Sequence, residues 1–310
     1  MRIWIDAFGI TDIGRQRSEN QDQFLVGKLE EGMSIQIASI STDRVLRLPS
    51  LQGTFLIVAD GIGGHVGGRV ASGVAVECFT RYLRWQASEF LLPREELPKR
   101  LVAAVRFCHR TLHQMHEQRP KLRGMGTTFT AAYVLGRKLY VVHVGDSRCY
   151  LLRQGILDQL TSDHTLAQLC LDSDAANVSP AAREKMSHVL WNCVGGSDDL
   201  EVEVIERDLR LGDLLVLCSD GLSKYVDKRS ILAIAAESNS VATACRTLVA
   251  AANEAGGSDN ITVVVGQCVG EQSHSPREAN TKSSVDTEQY PSLADTVDQL
   301  FGCETPAACS

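Results

Sequence analysis

Residues 55–62 read FLIVADGI, and this stretch decides the fold. Five aliphatic or aromatic residues run directly into an aspartate and a glycine, which is typical of a buried strand that ends in a turn. The same arrangement returns in residues 214–221 (LLVLCSDG), and in reverse order in residues 259–265 (DNITVVV). The sequence therefore predicts three buried strands, each with an aspartate at one end. These aspartates are Asp60, Asp220 and Asp259.

The three aspartates predict a shared site. Two follow their strands and one precedes its strand, so the carboxylates meet at one end of the sheet if the strands are antiparallel neighbours. Clustered carboxylates repel each other and raise each other's pKa unless a cation neutralises them. Hard divalent ions such as Mg²⁺ and Mn²⁺ prefer oxygen ligands. We therefore expect a divalent metal centre at the edge of a β-sheet.

The composition narrows the class of protein. The chain has 310 residues, of which 44% are hydrophobic and 22% charged, which is ordinary for a globular protein. Its net charge of -7, without a basic block, disfavours nucleic acid as a partner. Residues 1–6 do not follow a signal-peptide plan, no apolar stretch is long enough for a membrane span, and no Cys-x-x-Cys pair occurs. We expect a cytoplasmic protein without disulfides.

Strand and helix patterns alternate from residue 3 to about residue 268. The strands come in consecutive pairs joined by short turns, such as Gly136-Arg137, which favours an α+β layered domain over a doubly wound parallel sheet. Strands are predicted at 3–11, 22–27, 54–59, 127–135, 138–144, 148–153, 201–208, 213–219 and 261–268. Helices are predicted at 67–86, 94–118, 165–171, 180–187, 229–237 and 240–254.

Two segments stand apart from this pattern. Residues 29–53 separate two strands by more than an ordinary loop and are predicted to be an insertion, with room for a hairpin of its own. Residues 270–310 lose the apolar pattern and are rich in Ser, Thr, Glu and Asp, so they are predicted to be a disordered polar tail. The folded domain is therefore expected to span residues 1–269.

Three further features carry oxygen atoms or fixed charge. Several glycines follow Asp60, which indicates a close backbone approach and makes the Gly61 carbonyl a reasonable additional ligand. Arg17 lies with Asp22 on a loop between strands and suits a phosphoryl group, although a plain polar turn explains that loop equally well. Asp146 follows another strand, beside a glycine.

Six short motifs occur in the order found in a known family, and the resemblance covers roughly residues 8–268. On these motifs the chain resembles the type 2C metal-dependent protein phosphatases, in particular the bacterial Ser/Thr branch. The motifs are Arg17-x-x-Asn20-Gln21-Asp22, Asp60-Gly61-x-Gly63-Gly64-His65, Gly126-Thr127-Thr128, Gly145-Asp146-Ser147-Arg148, Ser219-Asp220-Gly221-Leu222 and Asp259-Asn260-Ile261-Thr262. The resemblance implies a four-layer α-β-β-α sandwich, in which helices flank two antiparallel sheets.

The resemblance also implies a role for each site residue. Two core ions, Mn²⁺ or Mg²⁺, would be held by the three strand-end aspartates and the Gly61 carbonyl. Asp22 would act in the shell of one ion, mainly through water, and Arg17 would bind the substrate phosphate. Asp146 together with Asp220 resembles a third, more weakly occupied metal site. A mobile flap would fall within about 165–196.

The implied reaction is hydrolysis of phosphoserine and phosphothreonine on proteins by a water that two metal ions activate, opposing a Ser/Thr kinase. The expected partners are phosphoproteins and a cognate kinase, and the default state is a monomer. Ile62 departs from the family pattern, which leaves the general acid open. A cysteine-based phosphatase is disfavoured, because no cysteine is expected in a Cys-x5-Arg phosphate loop.

Two alternatives remain open. One is a catalytically silent phosphopeptide-binding module on the same fold, although such a module is expected to lose a metal aspartate and all of them are present. The other narrows the substrate to an anti-sigma-factor antagonist, which no sequence feature selects. The sequence names neither the physiological substrate nor the preferred metal, nor the roles of the insertion and the tail.

Overall fold

Two antiparallel β-sheets stack face to face at the centre of the computed structural model, which describes residues 3–29, 33–39, 53–87, 94–173 and 179–270. The strands are β1 (Ile3–Asp12), β2 (Gln23–Leu29), β3 (Met33–Ala38), β4 (Gly53–Ala59), β5 (Gly61–Ile62), β6 (Gly126–Thr127), β7 (Phe129–Leu135), β8 (Lys138–Val144), β9 (Arg148–Arg153), β10 (Ile156–Gln159), β11 (Glu203–Asp208), β12 (Leu214–Cys218) and β13 (Ile261–Gly270).

One sheet, called sheet A, has the strand order β1-β13-β12-β9-β10. The other, sheet B, has the order β11-β8-β7-β4-β2-β3, and β5 pairs with β6 in a short separate ribbon. Every pairing within the sheets is antiparallel. The predicted hairpin at Gly136-Arg137 is confirmed, because Leu135 pairs with Lys138 and Gly136 has a φ of 62°.

Helices cover the outer face of each sheet. They are α1 (Gly64–Ala87), α2 (Leu97–Gln118), α3 (Leu166–Asp172), α4 (Pro180–Met186), α5 (Asp220–Ser223), α6 (Lys228–Glu237) and α7 (Val241–Glu254). Buried residues of α1 and α2 pack on sheet B, and those of α6 and α7 pack on sheet A. The predicted four-layer α-β-β-α sandwich is therefore confirmed.

Strand β4 shows why its sequence is apolar throughout. Leu56 and Val58 belong to the core between the two sheets, whereas Phe55 and Ile57 belong to the core beneath α1 and α2. Successive side chains of a strand point to opposite faces, so a strand with both faces covered has no position for a polar residue. Each such side chain contributes about 1.5–3 kcal/mol on full burial.

One geometric premise of the sequence prediction is wrong. The strands that precede Asp220 and follow Asp259, β12 and β13, are antiparallel neighbours in sheet A. The strand that ends at Asp60, β4, lies instead in sheet B between β2 and β7. The three aspartates therefore come from both sheets.

Some predicted segments fall partly or wholly outside the described residues. Within the predicted insertion, β3 pairs with β2, whereas residues 30–32 and 40–52 are outside the described ranges. The predicted flap contains α3 and α4, except that residues 174–178 lie outside. The predicted disordered tail from 271 onward also lies outside. Among the helices that the structure describes, none has the length and hydropathy needed to cross a membrane.

Candidate active site

Asp22 and Asp60 lie side by side at one end of sheet B. Gln23, the first residue of β2, pairs with Ala59, the last residue of β4. Asp22 precedes Gln23 and Asp60 follows Ala59, so both aspartates lie at the same end of the sheet. The backbone N–H of Asp60 donates to Thr128 Oγ1 at 2.9 Å, and the N–H of Thr128 donates to the Asp60 carbonyl at 2.9 Å. These two bonds fix the backbone of Asp60 at the strand exit.

Asp220 and Asp259 come from the corresponding end of sheet A. Asp220 begins α5 just after β12, and Asp259 lies just before β13, the antiparallel neighbour of β12. Asp146 lies on the connection that crosses from β8 in sheet B to β9 in sheet A. Burial raises the pKa of Asp60 well above its ordinary value, and the charges of the other four aspartates raise it further. The predicted carboxylate cluster is therefore present.

Asp22 is almost fully buried, with 2% of its surface exposed. Its Oδ2 accepts hydrogen bonds from the hydroxyls of Ser219 and Thr262, each at 2.7 Å. Its Oδ1 has no hydrogen-bond partner among the described residues. Burial raises the pKa of Asp22 to about 7, although the two hydroxyls act in the opposite direction. A buried carboxylate oxygen without a donor is costly unless a cation contacts it.

Asp220 shares this property. Its Oδ2 forms an ion pair with Lys224 Nζ, while its Oδ1 lacks a hydrogen-bond partner among the described residues. Lys224 Nζ also lies 3.9 Å from Asp146 Oδ2. Burial opposes the charge of Lys224, but the carboxylates of Asp220 and Asp146 outweigh it and its pKa is raised. The pKa of Asp146 is raised to about 7, first by burial and then by the charge of Asp220.

Arg17 holds Asp259 with a two-pronged contact. Its Nε lies 2.9 Å from Asp259 Oδ1, and its Nη2 donates to Asp259 Oδ2 at 2.9 Å. The hydrogen bond to Asp259 raises the pKa of Arg17, so this side chain is a permanent cation. With 55% of its side chain exposed, Arg17 lies at the rim of the cluster rather than inside it.

Close backbone approaches require glycine beside two of the aspartates. A Cβ on Gly61 would lie 2.2 Å from the carbonyl oxygen of Gly68, and one on Gly221 would lie 1.9 Å from that of Asn260. Neither contact is possible for a real side chain, because each neighbour is a backbone atom. The prediction that glycine serves a close backbone approach here is confirmed for Gly61.

Asn260 connects the N-terminal loop to sheet A. Its Oδ1 accepts from the N–H of Gln21 at 2.9 Å, and its Nδ2 donates to the carbonyls of Ile13 and Glu19 at 3.0 Å each. The loop that carries Arg17 and Asp22 is thereby held against β13. Asn260 acts as a hydrogen-bonding support, as its place beside Asp259 suggests.

The donor set fits a hard divalent cation. Five carboxylates converge, and only Lys224 and Arg17 among the described cations form ion pairs with them. Two buried oxygens, Asp22 Oδ1 and Asp220 Oδ1, have no donor within the described part of the chain. All-oxygen ligands with excess negative charge are what Mg²⁺ and Mn²⁺ prefer.

A cavity of about 380 Å³ opens beside the carboxylates. Asp146, Asp220 and Lys224 line one side, and residues of α3 and α4, the helices of the predicted flap, line the other. At its base Arg148 and Asp163 form an ion pair of 2.6 Å. Of the five aspartates, the cavity therefore reaches Asp146 and Asp220.

In a second group with metal-binding atoms, which the sequence did not indicate, three of the four ring nitrogens form hydrogen bonds. One ligand atom from each of His143, His164 and Glu203 lies within 4.8 Å of the others. The His143 ring contacts Thr130 Oγ1 at 2.9 Å and the Ser162 carbonyl at 3.0 Å, so both of its nitrogens are engaged. His164 Nδ1 accepts from Gly145 N–H. This group holds the connection to the flap rather than forming an open site.

One cysteine has the spacing of a Cys-x5-Arg phosphate loop but does not lie in a loop. Cys78 and Arg84 do have Cys-x5-Arg spacing. Both lie in α1, however, and a helix does not provide the phosphate-cradling loop that this motif requires. Cys78 is fully buried, and burial raises the pKa of its thiol to about 12. Because the thiolate is the nucleophile, Cys78 is unsuited to that chemistry and the case against a cysteine-based phosphatase stands.

A four-layer sandwich with clustered carboxylates at the ends of its two sheets is what the resemblance to the metal-dependent phosphatases led us to expect. The particular family follows from sequence comparison. The chain belongs to the protein phosphatase 2C family, whose sequence model matches residues 41–258. The resemblance stated from the six motifs is thereby confirmed.

The chain is similar to serine/threonine phosphatases of bacteria. The chain is 37% identical over 214 residues to the serine/threonine protein phosphatase PstP of Mycobacterium tuberculosis, a match that covers 69% of this chain and 40% of PstP. It is 31% identical over 255 residues to the serine/threonine phosphatase stp of Listeria monocytogenes, covering 82% of this chain and 92% of that protein.

A solved structure agrees with the sequence matches. The crystal structure of the catalytic domain of PstP in complex with two manganese ions superposes with a TM-score of 0.67 at 31% identity, covering 87% of this chain and 100% of that one. Phosphatases of this family use Mn²⁺ or Mg²⁺, which agrees with the donor set described above.

Proposed function

We propose that this chain removes phosphate from phosphoserine and phosphothreonine of proteins in a reaction that depends on Mn²⁺ or Mg²⁺. One observation carries the proposal. Five carboxylates from both sheets act on one another electrostatically, two of them line an open cavity, and two of their buried oxygens lack any donor among the described residues. Membership of the protein phosphatase 2C family supports the same reaction.

In this proposal the two core ions are held by the carboxylates of Asp60, Asp220 and Asp259 together with the Gly61 carbonyl. Asp22 acts in the shell of one ion, mainly through water. When bound, the divalent ions lower the pKa of a coordinated water and neutralise charge on the phosphoryl oxygens. Asp22, Asp60 and Arg17 are the residues proposed to take part directly in catalysis.

Arg17 supplies the fixed charge for substrate. Its guanidinium presents two parallel donors, a geometry that matches a phosphoryl group as well as the carboxylate of Asp259. Its side chain is half exposed at the rim, so it can turn from Asp259 toward a phosphate. Bound cations would reduce the charge of Asp259 and so favour that movement.

We propose that the leaving group takes its proton from solvent rather than from Ile62 or Lys224. Ile62 has no proton to donate, and Lys224, the cation that lines the cavity beside Asp220, is engaged by two carboxylates. The serine or threonine alkoxide is therefore proposed to take its proton from water that enters through the cavity.

The domain assignment is also a proposal. The catalytic domain spans residues 1–269, with a flap at about 165–196, and residues 270–310 form a separate polar tail. The substrates are phosphoproteins, the cognate partner is a Ser/Thr kinase, and the protein acts as a monomer in the cytoplasm. A silent phosphopeptide-binding module is not favoured, because each proposed metal aspartate is present.

The test is hydrolysis of a phosphothreonine peptide and of p-nitrophenyl phosphate with Mn²⁺, with Mg²⁺ or with EDTA. We expect turnover that requires the metal and falls to background in Asp60→Asn and Asp220→Asn, while circular dichroism shows both variants folded. Asp158→Asn, which changes an exposed aspartate of β10, serves as the matched control and should keep full activity. Undiminished turnover in EDTA or in Asp60→Asn would contradict the proposal.

A further inference from the structure

We propose that the ammonium group of Lys224 takes the place of a third metal ion between Asp146 and Asp220, so that this protein binds two divalent ions rather than three. The inference rests on the proposed function and changes one part of it. The resemblance implied a third, weaker ion at Asp146 and Asp220. In this chain the same two carboxylates already share a cation of their own.

The position of Lys224 is built into the chain. Lys224 follows the single turn of α5, which begins at Asp220, and its backbone N–H donates to the Asp220 carbonyl at 2.9 Å. A spacing of four residues on a helical turn brings an acidic and a basic side chain to the same face. The ammonium is therefore delivered by the same turn that presents Asp220.

The two oxygens of Asp220 divide between two cations in this arrangement. Oδ2 contacts Lys224, while Oδ1 has no hydrogen-bond partner among the described residues. Asp220 can therefore bind a core ion through Oδ1 while Lys224 stays on Oδ2. Asp146, by contrast, has the lysine as the one cation paired with it in the described ranges.

The surroundings favour the lysine over an additional ion. The side chains of Lys224 and Asp146 are 23% and 8% exposed, so the contact is partly shielded from water on the side of Asp146. A divalent ion at this point would approach a fixed positive charge and would have to displace it from the same oxygens. Because like charges repel more strongly away from water, the lysine prevents a divalent ion from binding between Asp146 and Asp220.

The test counts bound Mn²⁺ by equilibrium dialysis with elemental analysis, which does not depend on activity. We expect about two ions per chain in the wild type up to millimolar Mn²⁺, and about three in Lys224→Met and Lys224→Gln, which remove the charge at similar side-chain length. Lys224→Arg keeps the charge and should stay at two. Lys228→Met, at an exposed lysine of α6, is the matched control and should also stay at two.

A further variant locates the additional ion. If Lys224→Met binds a third ion at Asp146, the double variant Asp146→Asn/Lys224→Met should return to two. A wild type that binds three ions overturns the inference, as does a folded Lys224→Met or Lys224→Gln that still binds two. A wild type that binds no Mn²⁺ would overturn the proposed function itself, and the two failures are thus distinguishable.

Discussion

The hydroxyl of Ser219 donates a hydrogen bond of 2.7 Å to Oδ2 of Asp22, and so joins the end of β12 in sheet A to the start of β2 in sheet B. Thr262 of β13 donates to the same oxygen at 2.7 Å, and its hydroxyl also contacts that of Thr11 at 2.7 Å. Two hydroxyls of one sheet therefore orient a buried carboxylate of the other. The sheets are locked together at the end that carries the site.

Removing these donors should weaken metal binding. In the double variant Ser219→Ala/Thr262→Val, Asp22 loses both groups that lower its pKa, so its pKa rises further above about 7 and the carboxylate is more often neutral at pH 7. Removing a hydrogen-bond partner of a metal ligand typically lowers metal affinity about 10–100-fold. We therefore expect a loss of Mn²⁺ affinity of about tenfold or more. Mn²⁺ titration at pH 7 and pH 8.5 measures it, and the loss should be smaller at the higher pH.

The control must separate this effect from general destabilisation. Ser240 caps α7 by accepting from the N–H of Thr243, far along the chain from the carboxylates, and Ser240→Ala should cost about 1 kcal/mol of stability. Its Mn²⁺ affinity should be that of the wild type. Equal affinity losses in the two variants would contradict the role given to Ser219 and Thr262.

Gly61→Ala should destabilise the protein although it keeps the carbonyl that is proposed to bind metal. The added methyl would meet the Gly68 carbonyl at 2.2 Å and the Gln21 carbonyl at 2.7 Å, and neither backbone atom can move without displacing its own segment. We expect a loss of at least about 2 kcal/mol in the free energy of unfolding. Urea denaturation measures it, and a loss below about 0.5 kcal/mol would show that the backbone adapts easily.

Arg17→Ala should affect catalysis far more than stability. The ion pair with Asp259 is half exposed, and such pairs contribute about 0–1 kcal/mol to folding. Loss of a charged bidentate contact to phosphate should lower kcat/KM about 10–100-fold. Arg17→Lys should recover only part of kcat/KM, because an ammonium group does not present two parallel donors. Arg15→Ala, two residues earlier on the same loop, is the control. Wild-type kcat/KM in Arg17→Ala would contradict the assignment to phosphate.

The aspartates could be predicted because each lies within one or two residues of a strand end, and strand ends are readable from apolar runs. The role of Lys224 could not be predicted in the same way, because its contact with Asp146 joins residues 78 positions apart in the sequence. The same holds for Ser219 and Asp22, which are separated by 197 positions. Contacts between sheets depend on how the layers stack, which periodicity does not encode.

The missed elements have physical reasons as well. Strand β10 (ILDQ) is a short edge strand whose Ile156 is 62% exposed, so its sequence lacks a buried pattern. Helix α5 is a single turn and has no periodicity to detect. Asp60 was expected at the end of a strand that neighbours β12 and β13. An apolar run, however, indicates only that a strand is buried on both faces. It does not say in which of two sheets the strand lies.

The burial of His143 should contribute stability at neutral pH that is lost in mild acid. Burial, and next the nearby His164, lower the pKa of His143 to about 3. In the unfolded chain its pKa is about 6.5, so between these values the unfolded chain holds a proton that the folded chain does not. The contribution of His143 to the free energy of unfolding is fully present above about pH 6.5 and is lost as the pH falls toward 3. From pH 7.5 to 5.5 this amounts to about 1.4 kcal/mol.

The measurement compares urea denaturation at the two pH values in EDTA. His143→Gln should be less stable than the wild type at pH 7.5, because the hydrogen bonds to Thr130 and Ser162 change, but the difference should narrow at pH 5.5. His188→Gln, at an exposed histidine, should follow the wild type at both values. A constant gap between His143→Gln and the wild type would show that His143 does not titrate on unfolding.

Truncation at the end of β13 should leave the catalytic domain intact. Strand β13 pairs with β1 along its whole length, from Ile261 opposite Asp12 to Gly270 opposite Ile3, so a chain that ends at residue 270 keeps every described residue of the sheet. Removing residues 271–310 should therefore change the hydrolysis of p-nitrophenyl phosphate less than twofold and the urea midpoint little. The matched control removes residues 261–310 and with them β13, the central partner of β1 and β12, and should abolish folding. A large loss of activity in the shorter truncation would mean that the tail contributes to the domain or to the site.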